Sequence, residues 1–200
     1  MLKELQKRVP AVEKLEENFE FVKNDVLRAN IAIAFQYIIF CLLVSKYIEG
    51  PLCYSTYKSI IIHTSSIVES LIHYCLRELI DRGVVDSSEV MGSEWKLSEI
   101  HELFNVDEFH SIVGASKKRI PERLTGKSMF ITLNRAAKRA GIFDDGLYLK
   151  AEELRTKRNF IHLAGLENVD DYYKKDDVDH LFKITAEIRQ AIEEKLKSLT

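Results

Sequence analysis

The run YSTYKSIIIHTSSIVESLIHYCLRELIDR at residues 54–82 decides the fold, because it has neither Gly nor Pro and repeats apolar residues at helical spacing. Gly83 follows directly, and a glycine in that place is typical of a helix C-terminal cap. The stretch therefore predicts one long helix that buries a wide face. The positions predicted to share that face are Ile61, Ile62, Ser65, Val68, Ile72, Cys75, Leu76 and Leu79.

The segments on either side of this helix also show helical periodicity. Only 8 Gly and 3 Pro occur in 200 residues, which is too few for the many turns of a β-sandwich or barrel. The sequence therefore predicts an all-α fold, a bundle of helices in a single domain over residues 1–200. The further helices that the spacing predicts are 2–29, 31–47, 128–140, 147–164 and 177–199.

Residues 84–126 are the least regular part of the chain, and we predict an irregular insertion between helices there. The segment 98–102, with the sequence Ser-Glu-Ile-His-Glu, has the pattern of a short capped helix. Gly114 and Gly126 interrupt the rest. No strand is predicted, because no part shows a convincing alternation of apolar and polar residues.

Cysteine usage and the length of the apolar segments both favour a cytoplasmic protein. The three cysteines, Cys41, Cys53 and Cys75, include no Cys-x-x-Cys pair, and their odd number is typical of free thiols in a reducing compartment. The longest apolar run, 31–44, is shorter than the roughly 20 residues of a bilayer span, so we expect a buried core helix. The charged N-terminus is not typical of a signal peptide, and we expect no membrane partner.

Two patterns that could indicate a bound ligand do not meet the requirements of their chemistry. Gly126-Lys127-Ser128 resembles the end of a phosphate-binding P-loop, but Pro121 stands where the motif needs its first glycine. The histidines between residues 63 and 110 have spacings of nine residues or more, which fit no compact metal-binding helix. We therefore expect neither a metal ion nor another cofactor.

The most informative stretch is LRTKRNFIHL at residues 154–163. At about 100° per residue, Arg155, Arg158 and His162 fall on one stripe of a helix, with Asn159 beside them. Two interpretations are open: a solvated basic face with a structural histidine, which geometry alone favours, or a phosphate site. Arginine presents a planar fork to phosphate oxygens, and histidine can transfer protons near neutral pH.

This stretch, with Leu-Arg at 154–155, Arg-Asn at 158–159 and Ile-His-Leu at 161–163, resembles the C-terminal signature of HEPN domains. Two further segments are similar to parts of that family. One is the end of an amphipathic helix at 137–142. The other is the segment Ser-Ile-Val-Glu-Ser-Leu at 66–71, which resembles the acidic helix beside the family's motif.

The resemblance covers roughly residues 54–199 and leaves 1–49 as additional N-terminal helices. It implies an antiparallel, HEPN-like bundle of helices. Many members of the family are RNases of toxin–antitoxin or phage-defence systems. The resemblance therefore also implies RNA as the substrate and an antitoxin as a partner.

The resemblance further implies roles for individual residues. The family's pattern is an Arg, four to six residues, and a His, and Arg155 and His162 fit it with six residues between them. Arg158 and Asn159 match the family's Arg-Asn pair, although only three residues separate Arg158 from His162. Glu69 is a candidate third polar member of the same catalytic site.

The reaction implied by the resemblance is metal-independent RNA cleavage in a homodimer. A base must take the 2′-OH proton and an acid must protonate the leaving 5′-oxygen, while positive charge stabilises the transition state. One chain offers one such histidine, so a two-fold dimer through the helix 147–164 would supply both groups. The expected products are a 2′,3′-cyclic phosphate and a 5′-hydroxyl.

The formal net charge of −2 is unevenly distributed along the chain. Residues 115–160 carry twelve Lys and Arg against five Asp and Glu, whereas the remainder carries seventeen against twenty-six. A basic segment beside the signature suits an RNA backbone; the alternative is a basic face that only keeps the protein in solution. The residues expected to bind RNA are Lys117, Lys118, Arg119, Arg123, Lys127, Arg135, Lys138, Arg139 and Lys157.

Three hypotheses remain open from the sequence. The first is a HEPN-like ribonuclease that acts as a homodimer. The second is a HEPN-like domain without catalysis, which serves as an RNA-binding or protein-interaction module. The third is an unrelated helical protein in which the Arg/His stripe is structural.

Overall fold

The computed structural model describes residues 2–159 and 173–199. Within these ranges the strands are β1 (Ser93–Asn105) and β2 (Ser111–Pro121). The helices are α1 (Leu2–Arg8), α2 (Val12–Glu16), α3 (Asp25–Val44), α4 (Pro51–Asp81), α5 (Ser87–Met91), α6 (Phe130–Arg139), α7 (Asp145–Asn159) and α8 (Lys175–Lys197). The protein is therefore mostly helical, as predicted, but it also contains a β-sheet.

Helix α4 is the centre of the helical part and contacts α3, α6, α7 and α8. It ends before Gly83, whose φ of 68° lies in the left-handed region that favours glycine. The predicted long helix with a wide buried face is confirmed, since all of its predicted core positions except the half-buried Ile62 are buried. Apolar residues from Phe19 to Leu196 pack around this face in one hydrophobic core.

The N-terminal region is divided into short elements, so the prediction of one helix over 2–29 is wrong. Pro10 lies between α1 and α2 and explains the break between them. Proline inside a helix removes a backbone hydrogen bond and clashes with the preceding turn. The next long helix, α3, begins earlier than the predicted residue 31. Its start is set by Asn24, whose side chain accepts a hydrogen bond from the backbone N of Leu27 at 2.8 Å.

The C-terminal helices follow the sequence prediction closely. Helix α6 is followed by Gly141, the predicted stop, and α8 covers the predicted 177–199 to within two residues at each end. Helix α7 begins two residues before the predicted start. The predicted continuation of α7 over 160–164 lies outside the described residues.

The prediction of an all-α fold is wrong, because β1 and β2 form a two-stranded antiparallel sheet. The predicted short helix at 98–102 lies within β1, and most of the predicted irregular insertion is this hairpin. Nearly every residue of both strands is exposed to solvent. Neither face is buried, so the apolar and polar residues do not have to alternate, and the pattern that usually reveals a strand is weak.

We refer to this hairpin, residues 93–121, as the arm. Its turn is stabilised by Asp107, whose carboxylate accepts hydrogen bonds from the backbone N of Phe109 and of His110, both at 2.8 Å. The ladder has two irregularities, between Leu97 and Glu99 and between Glu102 and Phe104. Such bulges increase the local twist of a two-stranded ribbon.

The base of the arm is held to the helices by a small set of backbone contacts. The backbone N of Glu122 donates to the carbonyl of Gly92 at 2.9 Å, which closes the two ends on each other. The guanidinium of Arg139, on α6, donates to the carbonyls of Val90 and Met91, the second at 2.7 Å. Gly92 has a φ of 83°, and a Cβ there would lie 3.3 Å from the Arg139 guanidinium.

Arg139→Ala is expected to lower the free energy of unfolding by about 1–3 kcal/mol, since it leaves carbonyls at a buried position without their charged donor. Hydrogen exchange at the base of the arm should become faster, and urea unfolding should show the loss of stability. Arg135→Ala is the matched control, because Arg135 is exposed on the same helix. An effect of equal size in the two variants would contradict this role of Arg139.

Two helical segments are long and apolar enough to cross a membrane, judged by length and composition alone: Asp25–Tyr47 and Pro51–Asp81. In the protein, 22% of the apolar window of the first is buried, and 61% of that of the second. Core helices of soluble proteins and signal sequences have the same properties. The expected core helix at 31–44 is thus less buried than predicted, and its core positions are Ile31, Ala32, Ile38 and Cys41.

The three cysteines are free thiols in different surroundings. Burial raises the pKa of the Cys75 thiol to about 12, and burial also raises the pKa of Cys41.

Because the thiolate is the reactive form, Cys75 is expected to resist iodoacetamide at pH 8 in the folded protein. Mass spectrometry should show that the half-buried Cys53 is alkylated first and Cys75 only after unfolding; early labelling of Cys75 would contradict this.

Candidate functional site

The predicted catalytic residues of the described chain line one cleft with a volume of about 560 Å³. Its walls come from the middle of α4, the loop before α6, the first turn of α6 and the last turns of α7. The residues that line it are Glu69, Gly126, Lys127, Ser128, Met129, Phe130, Ile131, Arg155, Arg158 and Asn159.

Helix α7 fixes the direction of the arginines toward this cleft because the adjacent stripe of the helix is anchored in the core. Ala151 and Leu154 are fully buried, and Leu147 packs against the core as the predicted apolar stripe requires. Arg155 and Arg158 lie beside this stripe and are half-buried. Arg155 and Arg158 of the predicted stripe, and Asn159 beside it, all line the cleft.

Glu69 joins the group from another helix. Its carboxylate accepts a hydrogen bond from Nη1 of Arg158 at 2.7 Å, and the two side chains are 23% and 30% exposed. This ion pair connects α4 to α7 across 89 positions of the sequence. Partial burial reduces solvent screening, so the pair restrains Arg158 more firmly than a surface ion pair would.

Arg155 has a carboxylate partner, Glu152, that was not among the predicted site residues. Its Nε donates to Oε2 of Glu152 at 2.9 Å, while Oε1 of Glu152 accepts from the Asn134 amide at 2.8 Å. Asn134 is on α6 and is fully buried. A buried amide that holds a carboxylate in place makes Glu152 a fixed support for Arg155.

The loop before α6 places Lys127 and Ser128 at the cleft. A ring nitrogen of His73, on α4, lies 3.1 Å from the carbonyl oxygen of Thr125 and connects the loop to that helix. The backbone N of Thr125 donates to the Ser128 hydroxyl at 3.0 Å. Gly126, Lys127 and Ser128 therefore belong to the cleft. A strand, β2, does precede them, as in a P-loop, but Pro121 occupies the position of the first glycine and still excludes that motif.

The predicted RNA-binding residues are distributed over several structures. Lys117, Lys118 and Arg119 are exposed on β2 of the arm, and of the nine predicted residues Lys127 alone is among those that line the cleft. Arg123 and Arg135 are exposed outside the arm. Eight of the nine predicted RNA-binding residues are therefore not among those that line the cleft.

Three of the predicted RNA-binding residues have structural partners. Lys138 pairs with Asp145 at 2.6 Å, Arg139 holds the base of the arm, and Lys157 pairs with Asp177 at 2.8 Å. Partial burial acts to raise the pKa of Asp177, but hydrogen bonds from Lys157 and from the Lys174 backbone outweigh it, and the pKa of this carboxyl is lowered. These three basic side chains are therefore engaged in contacts within the protein.

His162, the expected acid or base, lies outside the described residues. The expected dimer through 147–164 likewise extends beyond the end of α7. Within residues 2–159 and 173–199, no group of three or more His, Cys, Asp and Glu side chains is placed to hold a metal ion. The cleft itself offers three cations, Lys127, Arg155 and Arg158, and Asn159 as a neutral donor.

Comparisons with protein-family models, with curated proteins and with solved structures find no match to this chain. Two arginines, a lysine and an amide around one concave surface form a suitable arrangement for an anion with several oxygens.

Proposed function

We propose that the protein is a HEPN-like, metal-independent endoribonuclease that acts as a homodimer in the cytoplasm, in a toxin–antitoxin or phage-defence system. The observation that supports this proposal is the cleft in which Arg155, Arg158 and Asn159 of α7 face Glu69 of α4. Residues 89 positions apart in the chain meet there. The resemblance to HEPN domains implies one catalytic site for the same residues.

The geometry leaves donor atoms for a phosphate on both arginines. Arg158 uses Nη1 for Glu69, so its Nε and Nη2 are the atoms we assign to RNA phosphate oxygens. Arg155 contacts Glu152 through Nε and Nη2, which leaves Nη1 for the same anion. Lys127 at the rim would contact the backbone of a neighbouring nucleotide as a point charge.

In the proposed reaction, one His162 takes the proton of the 2′-OH and the second copy protonates the 5′-oxygen that leaves. The P–O bond to the 5′-oxygen breaks as the 2′-oxygen forms its bond to phosphorus. Arginines from both chains stabilise the charge that develops on the phosphoryl oxygens. The dimer is part of the proposal because one chain has a single histidine in the signature.

A non-catalytic RNA-binding or protein-interaction module is the second candidate. The observation that favours it is the pairing of both arginines with carboxylates, Arg158 with Glu69 and Arg155 with Glu152. Each carboxylate offsets the positive charge that a phosphate would otherwise meet. A cleft with restrained arginines can still recognise an anion or the acidic surface of a partner such as an antitoxin without cleaving anything.

The two candidates are separated by incubating the protein with RNA in the presence of EDTA and analysing the ends of the products. The proposed ribonuclease gives 2′,3′-cyclic phosphate and 5′-hydroxyl ends, and Arg155→Ala should lose this activity. Arg77→Ala is the matched control, since Arg77 is exposed elsewhere on α4. Intact RNA that nevertheless binds the wild type would support the non-catalytic module and overturn the ribonuclease.

A further inference from the structure

The register of the arm assigns each side chain to one of its two faces, because side chains alternate along a strand. Strand β2 has no extra residue, so its positions 113, 115, 117 and 119 share one face. Their partners across the ladder, at positions 102, 100, 97 and 95, share that face with them. The hydroxyls of Ser98 and Ser116, 2.7 Å apart, lie on the other one. We refer to the first as the Trp95 face.

The middle of the Trp95 face is apolar and exposed to solvent. Trp95, Leu97, Ile100 and Val113 are 65%, 59%, 65% and 55% exposed, and Ala115 between them is exposed as well. A two-stranded hairpin alone is only marginally stable in water unless another strand or apolar surface packs on it. Contiguous exposed apolar patches are typical of interaction sites. We therefore expect another molecule to cover this face.

Charges of opposite sign lie at the two ends of this apolar area. Lys117 and Arg119 lie toward the base of the arm, and Glu102 lies toward its tip. Arg119 donates through Nε to the Ser93 hydroxyl at 2.5 Å, a bond that does not use either of its Nη atoms. A face that is basic at one end and acidic at the other is complementary in charge to a copy of itself turned end to end.

We propose that the Trp95 face binds the same face of a second copy of this chain, with the two arms antiparallel. The two-fold axis lies between the two sheets, perpendicular to the strands, and passes between the Leu97–Lys117 pair and the Ile100–Ala115 pair. These two pairs then lie against each other. Glu102 of each copy reaches the rung that holds Trp95 and Arg119 of the other copy.

This arrangement gives each group of the face a partner. The Glu102 carboxylate accepts from the Arg119 guanidinium and from the indole N–H of Trp95, a donor that needs a partner once it is covered. The aliphatic side chains of the middle pack on one another. A nucleic acid suits the face less well, because Glu102 would repel phosphates and the aliphatic Ile100 and Val113 offer bases no ring to stack on.

The area of the contact predicts a weak association. One face of a ribbon two strands wide and 11 residues long measures roughly 35 by 10 Å, so two copies would bury about 700 Å² in total. Stable interfaces bury about 1,200–2,000 Å², and smaller ones are typical of transient contacts. The association should therefore depend on protein concentration. It is separate from the proposed dimer through 147–164 and does not depend on the ribonuclease activity.

The test is sedimentation velocity of the full chain without nucleic acid, over a range of protein concentrations. Arg119→Glu and Glu102→Arg each place like charges at both copies of the contact. Either should weaken association by about tenfold or more, so that the average mass at a fixed concentration falls. Lys118→Glu is the matched control, because it makes a similar charge change at the neighbouring exposed residue on the opposite face. It should associate like the wild type.

Two rescue experiments separate a lost contact from a damaged arm. The double variant with Glu102→Arg and Arg119→Glu exchanges the charges at both contacts, and it should associate again. An equimolar mixture of the two single variants should also associate, since one contact keeps its native charges and the other has them exchanged. A wild type without concentration-dependent association, or single variants that neither rescue restores, would overturn the proposal. An unchanged mass with weaker RNA binding in Arg119→Glu would also overturn it and assign the face to nucleic acid.

Discussion

His162→Ala is expected to lower the rate of RNA cleavage by about 10²–10⁴-fold, the range that general acid–base catalysis contributes. Under the proposed function the substitution removes both proton-transfer groups of the dimer at once, while the arginines of the cleft remain. RNA binding should therefore change much less than cleavage. The measurement is the single-turnover rate with excess protein in EDTA, together with the affinity for the same RNA.

His101→Ala is the matched control for this variant, because His101 is exposed on β1 of the arm, outside the cleft. It should cleave RNA at the wild-type rate. Circular dichroism and gel filtration of His162→Ala should match the wild type, so that a loss of rate reports on chemistry. Cleavage that persists in His162→Ala at a similar rate would remove histidine catalysis from the proposal.

Leu76→Ala is expected to lower the free energy of unfolding by about 2–5 kcal/mol, since it deletes a fully buried side chain and leaves a cavity. Leu76 lies on α4, which contacts four other helices, so few neighbours can move to fill the space. For a domain of this size the loss corresponds to a decrease in Tm of about 5–15 °C.

Leu149→Ala makes the same chemical change at a position on α7 that is 66% exposed. Its stability should stay within about 0.5 kcal/mol of the wild type, as expected for a surface substitution. Urea unfolding followed by circular dichroism measures both variants. Similar losses for the two leucines would mean that α4 is not the centre of the core.

Helices that bury one continuous face could be predicted from the sequence. In α4 and α8 the apolar residues recur at helical spacing because each turn presents one side to the same core. Their ends carry local signals as well, such as Gly83 after α4. The prediction of α3 was less accurate, because this helix is apolar on more than the side that the protein buries.

The arm could not be predicted, because its stability depends on pairing between residues far apart in the sequence. Ser93 faces Pro121 across the ladder, and neither strand turns a face to the core. Local preference in 98–102 favoured a helix, and the long-range ladder overrides it. Strand preference depends strongly on such context.

The part of the candidate site that lies on α7 could be predicted, because helical spacing alone shows which residues are neighbours on one helix. Spacing alone predicted Arg155 and Arg158 on one stripe with Asn159 beside it, and Glu69 was added by the resemblance. Glu152 stands three residues before Arg155, a spacing at which side chains meet on a helix, and this signal could have identified it. Asn134 gives no such signal, because its role arises from the packing of α6 against α7.

The hydrogen bond between the backbone N of Glu122 and the carbonyl of Gly92 holds the two ends of the arm close together. The arm is therefore an insertion that starts and finishes at nearly the same place in the structure. A short turn could replace residues 93–121 without changing the path of the chain through α5 and α6. The same junction could accept a foreign hairpin, an epitope or a fluorescent label. The protein thus has a natural point of grafting that lies outside both the cleft and the hydrophobic core.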